Sequence, residues 1–502
     1  MAPESKVKCR INGQEVEVTE GTSIIEAYGQ IKQDIAHYCW HPELSIAGVC
    51  RLCVVEIEGN PKLQIACNTK VQEGMVISNK SPQVEEAVRW GLEFHLINHP
   101  LDCPICDQAG ECGLQEQYMK YGSYDSSMSE HKVKKRKVID LGPKVVLDAE
   151  RCILCSRCVR FTEEITKTNE LGIFNRGDRS EIGTVKDNPL DNDYALNTVD
   201  ICPVGALTSK DFRFQQRVWY LQNTETTCPG CSTGCSVHVY HNKEGVFRLK
   251  PNTEDQYWMC DEGRDVYKHT NVKERLLSSK RLNSNKALQS VELSDAIKAS
   301  LEMIENAKGS VSLILTAQHT NEEYQALREG FPEKLVHHWK NFDGEDVPLD
   351  KILKRKDKNP NTKGFKANFP IDSSFDKVSK NELVIVALPE NKSLYSDFNG
   401  MLAEIKSFKN VIILTVGSFD EEDIKSEQML CIPMKSFVEK FGTYTNFNNE
   451  EKSIQKAVSL VTEAVSLEDF VGLLKGEEIS VISEYEKATQ KKRNEFLNKV
   501  EL

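Results

Sequence analysis

Three cysteines on one short loop, Cys152-Ile-Leu-Cys155-Ser-Arg-Cys158, with a fourth that returns much later as Cys202-Pro203, constrain this chain more than any other feature. Two consecutive Cys-x2-Cys steps put three thiolates on one turn, and the distant Cys-Pro completes a set of four. That arrangement asks for a 4Fe-4S cluster. In the two-cluster bacterial pattern a fourth Cys follows three residues on and serves a neighbouring centre. Residues 159–163 contain none, so the triplet pairs with Cys202. Structural zinc is the alternative, although zinc sites usually join two separated Cys-x2-Cys knuckles.

Three further sets flank this one. Upstream, Val7-Lys-Cys-Arg-Ile-Asn12-Gly13-Gln-Glu-Val reads as a hairpin turned by Asn-Gly, and Thr22-Ser-Ile-Ile-Glu-Ala-Tyr as a capped helix. Together they predict a small β-grasp unit, with Cys9 a packed residue on its first strand. Cys39, Cys50, Cys53 and Cys67 follow, with a longer first gap than the plant-type 2Fe-2S pattern but a complete set of four thiols. Ser81-Pro82 predicts the start of a helix running to about Asn98, which delivers His99-x3-Cys103-x2-Cys106-x5-Cys112. Three thiols and an imidazole suit zinc as well as a cluster. If His99 is a ligand to iron, a neutral group replaces a thiolate and the cluster is less negative than its neighbours, which alters its potential. Past Cys202, Cys228-Pro-Gly-Cys231-Ser-Thr-Gly-Cys235 and, after an expected hairpin, Cys260 make the fourth set. Fifteen of the 17 cysteines lie between Cys39 and Cys260, and with His99 they make four sets of four.

The chain has 502 residues, 39% of them hydrophobic, which is enough for several domains with real cores. Its 64 Lys and Arg against 76 Asp and Glu leave a formal charge of -12, which argues against nucleic-acid binding. The basic run His131-Lys-Val-Lys-Lys-Arg-Lys137 reads as a solvated connector or a docking strip. No apolar run is long enough to cross a bilayer, and no apolar signal core opens the chain, so a soluble, unexported protein is expected. In a reducing compartment that many cysteines mean metal or catalysis.

After Lys268 the pattern changes. Strand-like runs at Ser310-Val-Ser-Leu-Ile-Leu, Leu383-Val-Ile-Val-Ala-Leu, Val411-Ile-Ile-Leu-Thr-Val and Ile479-Ser-Val-Ile alternate with helical patterns at 292–307 and 395–408. This predicts an α/β domain with a parallel sheet. No Gly-rich turn follows any of these strands, and no nucleophile, acid–base pair or phosphate loop stands out. Residues 351–363 read as a loop or a disordered insert, and Val336-His-His-Trp as a buried edge rather than a metal site.

Taken in order, Cys39/Cys50/Cys53/Cys67, His99/Cys103/Cys106/Cys112, Cys152/Cys155/Cys158/Cys202 and Cys228/Cys231/Cys235/Cys260 resemble the large iron–sulfur subunit of respiratory complex I, the G-type family of NADH:quinone oxidoreductase. The resemblance covers about the first 280 residues. It implies one 2Fe-2S cluster on the first set and three 4Fe-4S clusters on the others, the first three serving a path from the flavin of a neighbouring subunit towards quinone. The fourth set occurs in some bacterial members, off the main path, and also resembles the N-terminal cluster domain of molybdopterin oxidoreductases.

The implied fold class is an α+β iron–sulfur region, a β-grasp 2Fe-2S ferredoxin-like unit plus 4Fe-4S modules, followed by an α/β domain like a shortened molybdopterin-oxidoreductase fold. The corresponding domains are 1–80, 81–122, 123–220, 221–277 and 278–502, the last without molybdenum because the remaining chain is too short for a full pterin-binding body. The implied partners are the flavin- and NADH-binding subunit, a small 2Fe-2S subunit and quinone-side 4Fe-4S subunits, on the cytoplasmic side of the inner membrane. Neither a nucleic-acid partner nor a membrane span is expected, and NADH, flavin and quinone would bind elsewhere. Two rival readings are a cluster subunit of an NAD-linked hydrogenase or formate dehydrogenase, and a zinc-stabilised scaffold in which each site would supply folding energy on the order of 10 kcal/mol.

Overall fold

Asn12 and Gly13, both at positive φ (49° and 85°), turn the chain between the antiparallel strands Lys6–Ile11 and Gln14–Thr19. Paired left-handed residues match the twist of the flanking strands, which is why Asn-Gly is favoured here. The helix Ile24–Gln30 opens on a capping box, Ser23 with Glu26, and buries Ile24, Ile25, Ala27 and Tyr28 against the sheet. Val76–Ser78 then runs parallel to the first strand and joins it to Val54–Ile57, completing a five-stranded β-grasp sheet. Cys9 packs in this core as expected.

The computed structural model describes residues 5–185, 188–271 and 275–478. The chain divides into two compact units, Met1–Tyr220 and Leu221–Leu502. In the first unit, the helix Pro82–Leu96 carries Val84, Val88 and Leu92 on one buried face and ends two residues short of the expected Asn98. A single 3-10 turn, Cys103–Ile105, and the helix Gly113–Tyr121 follow. A three-stranded sheet orders Leu207–Ser209, Val145–Leu147 and Ile139–Asp140, and the helical turn Arg157–Arg160 runs on through Phe161–Ile165. The basic run is not a free strip. Lys132 Nζ caps the end of the Pro82–Leu96 helix by donating to Leu96 O and Ile97 O at 2.8 and 3.1 Å, while Arg136 pairs with Glu181 and Lys137 with Asp102 and Glu150.

The second unit opens on the antiparallel strands Gln222–Thr227, Ser236–Asn242 and Gly245–Pro251, the latter two being the expected hairpin. Its main body is a seven-stranded sheet. Gln428–Pro433, Asn410–Thr415, Leu383–Ala387, Val311–Leu315 and Leu335–His338 run parallel, and Ser279–Leu282 and Leu288–Val291 add an antiparallel edge. Alternate residues feed two cores. Leu313, Ile385, Ile412 and Leu430 face the helices Leu293–Asn306, Asn321–Gly330 and Leu467–Leu474. Ile314, Val384, Ile413 and Cys431 face Phe398–Ile405, a helix shorter than the 395–408 pattern. Burial on both faces explains why these strands read as continuous apolar runs. The sheet is thus mixed rather than parallel throughout, because its polar edge, Ser-Lys-Arg-Leu and Leu-Gln-Ser-Val, lacks that signal. Leu335–His338 is the opposite edge, with Val336 and His338 buried. The strand expected at Ile479 lies outside the described residues.

Candidate metal centres

In the first set, sulfurs meet in two close pairs. A thiol–thiol hydrogen bond draws Cys39 down to about 5 and holds Cys50 well up, and the same kind of contact draws Cys67 down and holds Cys53 up. Cys39 also acts electrostatically on Cys53 and Cys67, so all four belong to one neighbourhood. Arg51, at φ 56°, bends the loop between Cys50 and Cys53, and the backbone N–H of Tyr38 points at Cys50 Sγ at 3.4 Å.

In the second set, His99, Cys103, Cys106 and Cys112 line one cavity with Leu96, Leu101, Arg151 and Gly205. Burial, then the charges of Arg151 and Lys132, lower His99 to about 4. It is therefore neutral at neutral pH, the form in which imidazole binds metal. Its Nδ1 is shut away from solvent without a hydrogen-bond partner. Cys103 is exposed, whereas Cys106 and Cys112 are buried and raised by burial.

In the third set Cys155, Cys158 and Cys202 are buried and Cys152 is half-buried. Burial raises all four thiols, Cys152 to about 12 and Cys155 to about 11, and each of Cys152, Cys155 and Cys158 is pushed further by the negative charge its neighbours would carry. Leu154 and Ser156, both left-handed at φ 55° and 62°, fold the loop so that the Leu154 N–H lies 3.4 Å from Cys152 Sγ. Backbone N–H groups of Val204, Ala206 and Leu207 face Cys202.

The fourth set lies in the second unit. Cys228, Cys231, Cys235 and Cys260 line one enclosed cavity with Met259, Glu262, Gly263, Leu353, Lys354 and Lys358. Residues 351–363 are accordingly an ordered loop, not a disordered insert, and Asp357, Asn359 and Asn361 in it are at most 1% exposed.

Among the described residues, no three His, Cys, Asp or Glu side chains converge tightly enough to hold a single metal ion. The donor chemistry fits iron–sulfur clusters: gathered sulfurs and one neutral imidazole, with backbone N–H groups directed at the sulfurs. Space has been kept beside them. A Cβ on Gly205 would stand 2.1 Å from Cys106 Sγ, and one on Gly263 3.2 Å from Cys260 Sγ.

Within the first unit the sets adjoin in an order unlike that of the chain. Arg160 donates to both Cys39 O and Cys155 O, and Arg157 to Trp40 O, joining the first set to the third. Gly113 N donates to Pro203 O at 2.9 Å, and the Cys112 thiol lies 3.9 Å from the same oxygen, joining the third to the second. Arg157, Arg160, Gly205, Lys354 and Lys358 escape a reading confined to ligand spacing, although two arginines inside and just after a cysteine triplet are a signal.

Each set falls under a separate family model: the 2Fe-2S iron-sulfur cluster binding domain (residues 4–82), the NADH-ubiquinone oxidoreductase-G iron-sulfur binding region (91–127), the ferredoxin-like domain of NADH-quinone oxidoreductase subunit 3 (142–208) and the molybdopterin oxidoreductase Fe4S4 domain (221–272). These domains and the gathered thiols define an iron–sulfur protein with both 2Fe-2S and 4Fe-4S modules. The relatives narrow the class. The NADH-quinone oxidoreductase G-type subunit of Rickettsia bellii is 34% identical over 349 residues, 68% of this chain and 50% of that protein. Its counterpart from Streptomyces coelicolor is 35% identical over 329 residues, 64% of this chain and 39% of its own length. The mitochondrial NADH dehydrogenase (ubiquinone) iron-sulfur protein 1 of Solanum tuberosum is 37% identical over 311 residues, 61% and 42% of the respective chains. Over the matched region the chain is similar to these large iron–sulfur subunits of NADH-quinone oxidoreductases. It spans about half the length of these relatives or less. A chain from the crystal structure of an NAD+-reducing nickel–iron hydrogenase in the H2-reduced state is 30% identical, covering 43% of this chain and 92% of that one, at a TM-score of 0.39.

Proposed function

We propose that this chain is an iron–sulfur electron-transfer subunit in the peripheral arm of a proton-pumping NADH:quinone oxidoreductase, relaying electrons from a flavin subunit towards quinone. The sixteen residues from Cys39 to Cys260 hold one 2Fe-2S and three 4Fe-4S clusters, with His99 as the single nitrogen ligand. The modules are 1–80, 81–122, 123–220 and 221–277, followed by an α/β body. When bound, the clusters supply one-electron redox chemistry. The residues space the cages, exclude water from the sulfurs and direct backbone N–H groups at them. The other partners are the flavin- and NADH-binding subunit, the small 2Fe-2S subunit and quinone-side 4Fe-4S subunits, at the cytoplasmic face of the inner membrane. No helix among the described residues is long and apolar enough to cross a membrane.

The observation that carries this reading is the contact of the first, third and second sets through Arg160 and Pro203. Electron tunnelling falls steeply with distance; here Cys39 and Cys155 share Arg160, and Cys112 reaches the carbonyl of Pro203 beside Cys202. The test is an anaerobic iron and acid-labile sulfide count on the purified chain, with low-temperature EPR during reductive titration. About fourteen irons per chain, with sulfide, are expected from one 2Fe-2S and three 4Fe-4S clusters. Zinc without sulfide overturns the proposal in favour of a scaffold.

A further inference from the structure

The fourth set shares its cavity with two lysines and a glutamate from outside the cysteine motif's own loop. Lys354 and Lys358 reach it from the 351–363 loop, and Glu262 from the short helix that begins just after Cys260. Lys358 Nζ lies 2.6 Å from Glu262 Oε2, and Lys354 Nζ 3.8 Å from the same oxygen.

The loop is bolted to the cysteine loop. Ser232 N donates to Asp357 O at 3.0 Å, Ser232 Oγ bonds Asp346 Oδ2 at 2.6 Å, and Thr233 Oγ1 donates to Leu353 O at 2.7 Å. Arg355 fixes the far side, its Nε donating to Asp346 Oδ2 at 2.8 Å while its guanidinium stacks 3.8 Å over Phe447. Two ammonium groups are thus held at the cavity wall by hydrogen bonds that involve neither of them.

We infer that Lys354 and Lys358 raise the reduction potential of the cluster held by Cys228, Cys231, Cys235 and Cys260, and that Glu262 limits the rise by partly neutralising Lys358. The inference rests on the cluster reading above. Reduction adds one electron and therefore one negative charge to the cage, with no bond made or broken. A fixed positive charge at the wall favours the reduced form, and a fixed negative charge opposes it. Net charge near a cluster is one of the levers by which protein sets its potential. The side chains are tuning groups and do not ligate iron.

The experiment is a dithionite titration with redox mediators on the full cluster-loaded chain, followed by EPR. The signal of the fourth cluster is the one lost in Cys228→Ala. Lys358→Met is expected to lower its midpoint, shifting the reduced-to-oxidised ratio on the order of tenfold, or about 59 mV for one electron. Glu262→Gln is expected to raise it, and the double variant to fall between the two. Damage to the loop that merely wetted the cluster would move both single variants in the same direction. Unchanged midpoints, or shifts of one sign in both, overturn the inference. An iron count near ten with no signal sensitive to Cys228→Ala overturns it as well, while leaving the relay through the first three sets standing.

Discussion

The guanidinium of Arg160 and the carbonyl of Cys39 are hydrogen-bonded across 121 residues of chain, and the same nitrogen lies 3.4 Å from Cys155 O. Arg160 also reaches Ser45 O and Ser156 Oγ, and it is only 7% exposed. One fixed cation therefore stands between two cysteine sets. In Arg160→Gln, EPR-monitored titration should show the midpoints of the Cys39-set and Cys152-set clusters falling together, with the His99-set cluster unmoved. Arg160→Lys should hold the potentials nearer their original values yet lose about 1–3 kcal/mol of stability, because a single ammonium cannot satisfy the same carbonyls. A fall at only one of the two clusters would contradict a shared role.

Gly205 leaves no room for a side chain. Gly205→Ala puts a methyl 2.1 Å from Cys106 Sγ and 3.0 Å from Gln108 Cβ, so the cysteine must move. The expected result is a chain with about four fewer irons, the His99-set cluster being lost and the others retained. A full complement of iron would show that Cys106 can shift without releasing its cluster.

These relationships divide into what local sequence reveals and what it conceals. Cysteines two or three residues apart announce a shared centre, since the turn between them is itself the geometry. The Asn12-Gly13 hairpin and the Ser23–Glu26 capping box are legible for the same reason. Gly205 carries no such mark, and Arg160 only its place just after a cysteine triplet, because Cys106 and Cys39, which they meet, lie far back in the chain. The 351–363 segment is a loop, one of the two readings its composition allows; its Lys, Asp and Asn equally suggest disorder, but Asp357 and Asn359 accept hydrogen bonds from backbone, amide and hydroxyl groups inside the fold. Strand Gln428–Pro433 is easy to miss from its own residues and takes its place between Asn410–Thr415 and Ser279–Leu282 by pairing.

In the second unit, Glu323 and Lys440 form a 2.8 Å ion pair with both side chains at most 3% exposed. Burial alone would raise Glu323, but Lys440 and His319 outweigh it and hold the carboxyl down at about 2. Lys440→Met strands a buried carboxylate and should destabilise this unit by about 3–5 kcal/mol in urea titrations. Replacing both partners by apolar residues should recover most of that loss. A single variant as stable as the parent would mean that water reaches Glu323.

His338 is lowered to about 3 and His319 to about 4, in each case mainly by burial. A histidine held below its unfolded value of 6.5 binds protons more readily once unfolded. Each contribution is therefore complete above pH 6.5 and lost as pH falls towards the folded value, on the order of 1.4 kcal/mol per pH unit per histidine. His338 stacks on Phe365 with ring centroids 4.1 Å apart, so His338→Phe keeps the ring and removes the titration. Urea midpoints measured at about pH 7.5 and about pH 5, on either side of the unfolded histidine value, should lie closer together in His338→Phe than in the parent. Equal spacing would assign the acid sensitivity to other groups.

The bridging of the first three sets also has a consequence in time. Cys39 waits for Arg160, and Cys112 waits for Pro203, so neither set has its final surroundings when its own cysteines leave the ribosome. At ordinary rates of synthesis the interval from Cys39 to Gly205 lasts roughly ten to thirty seconds. Until it ends, the earliest thiols stand without the neighbours that later enclose them, open to oxidants and to the wrong metals. The need to shelter a nascent chain over that interval is written into which residues touch.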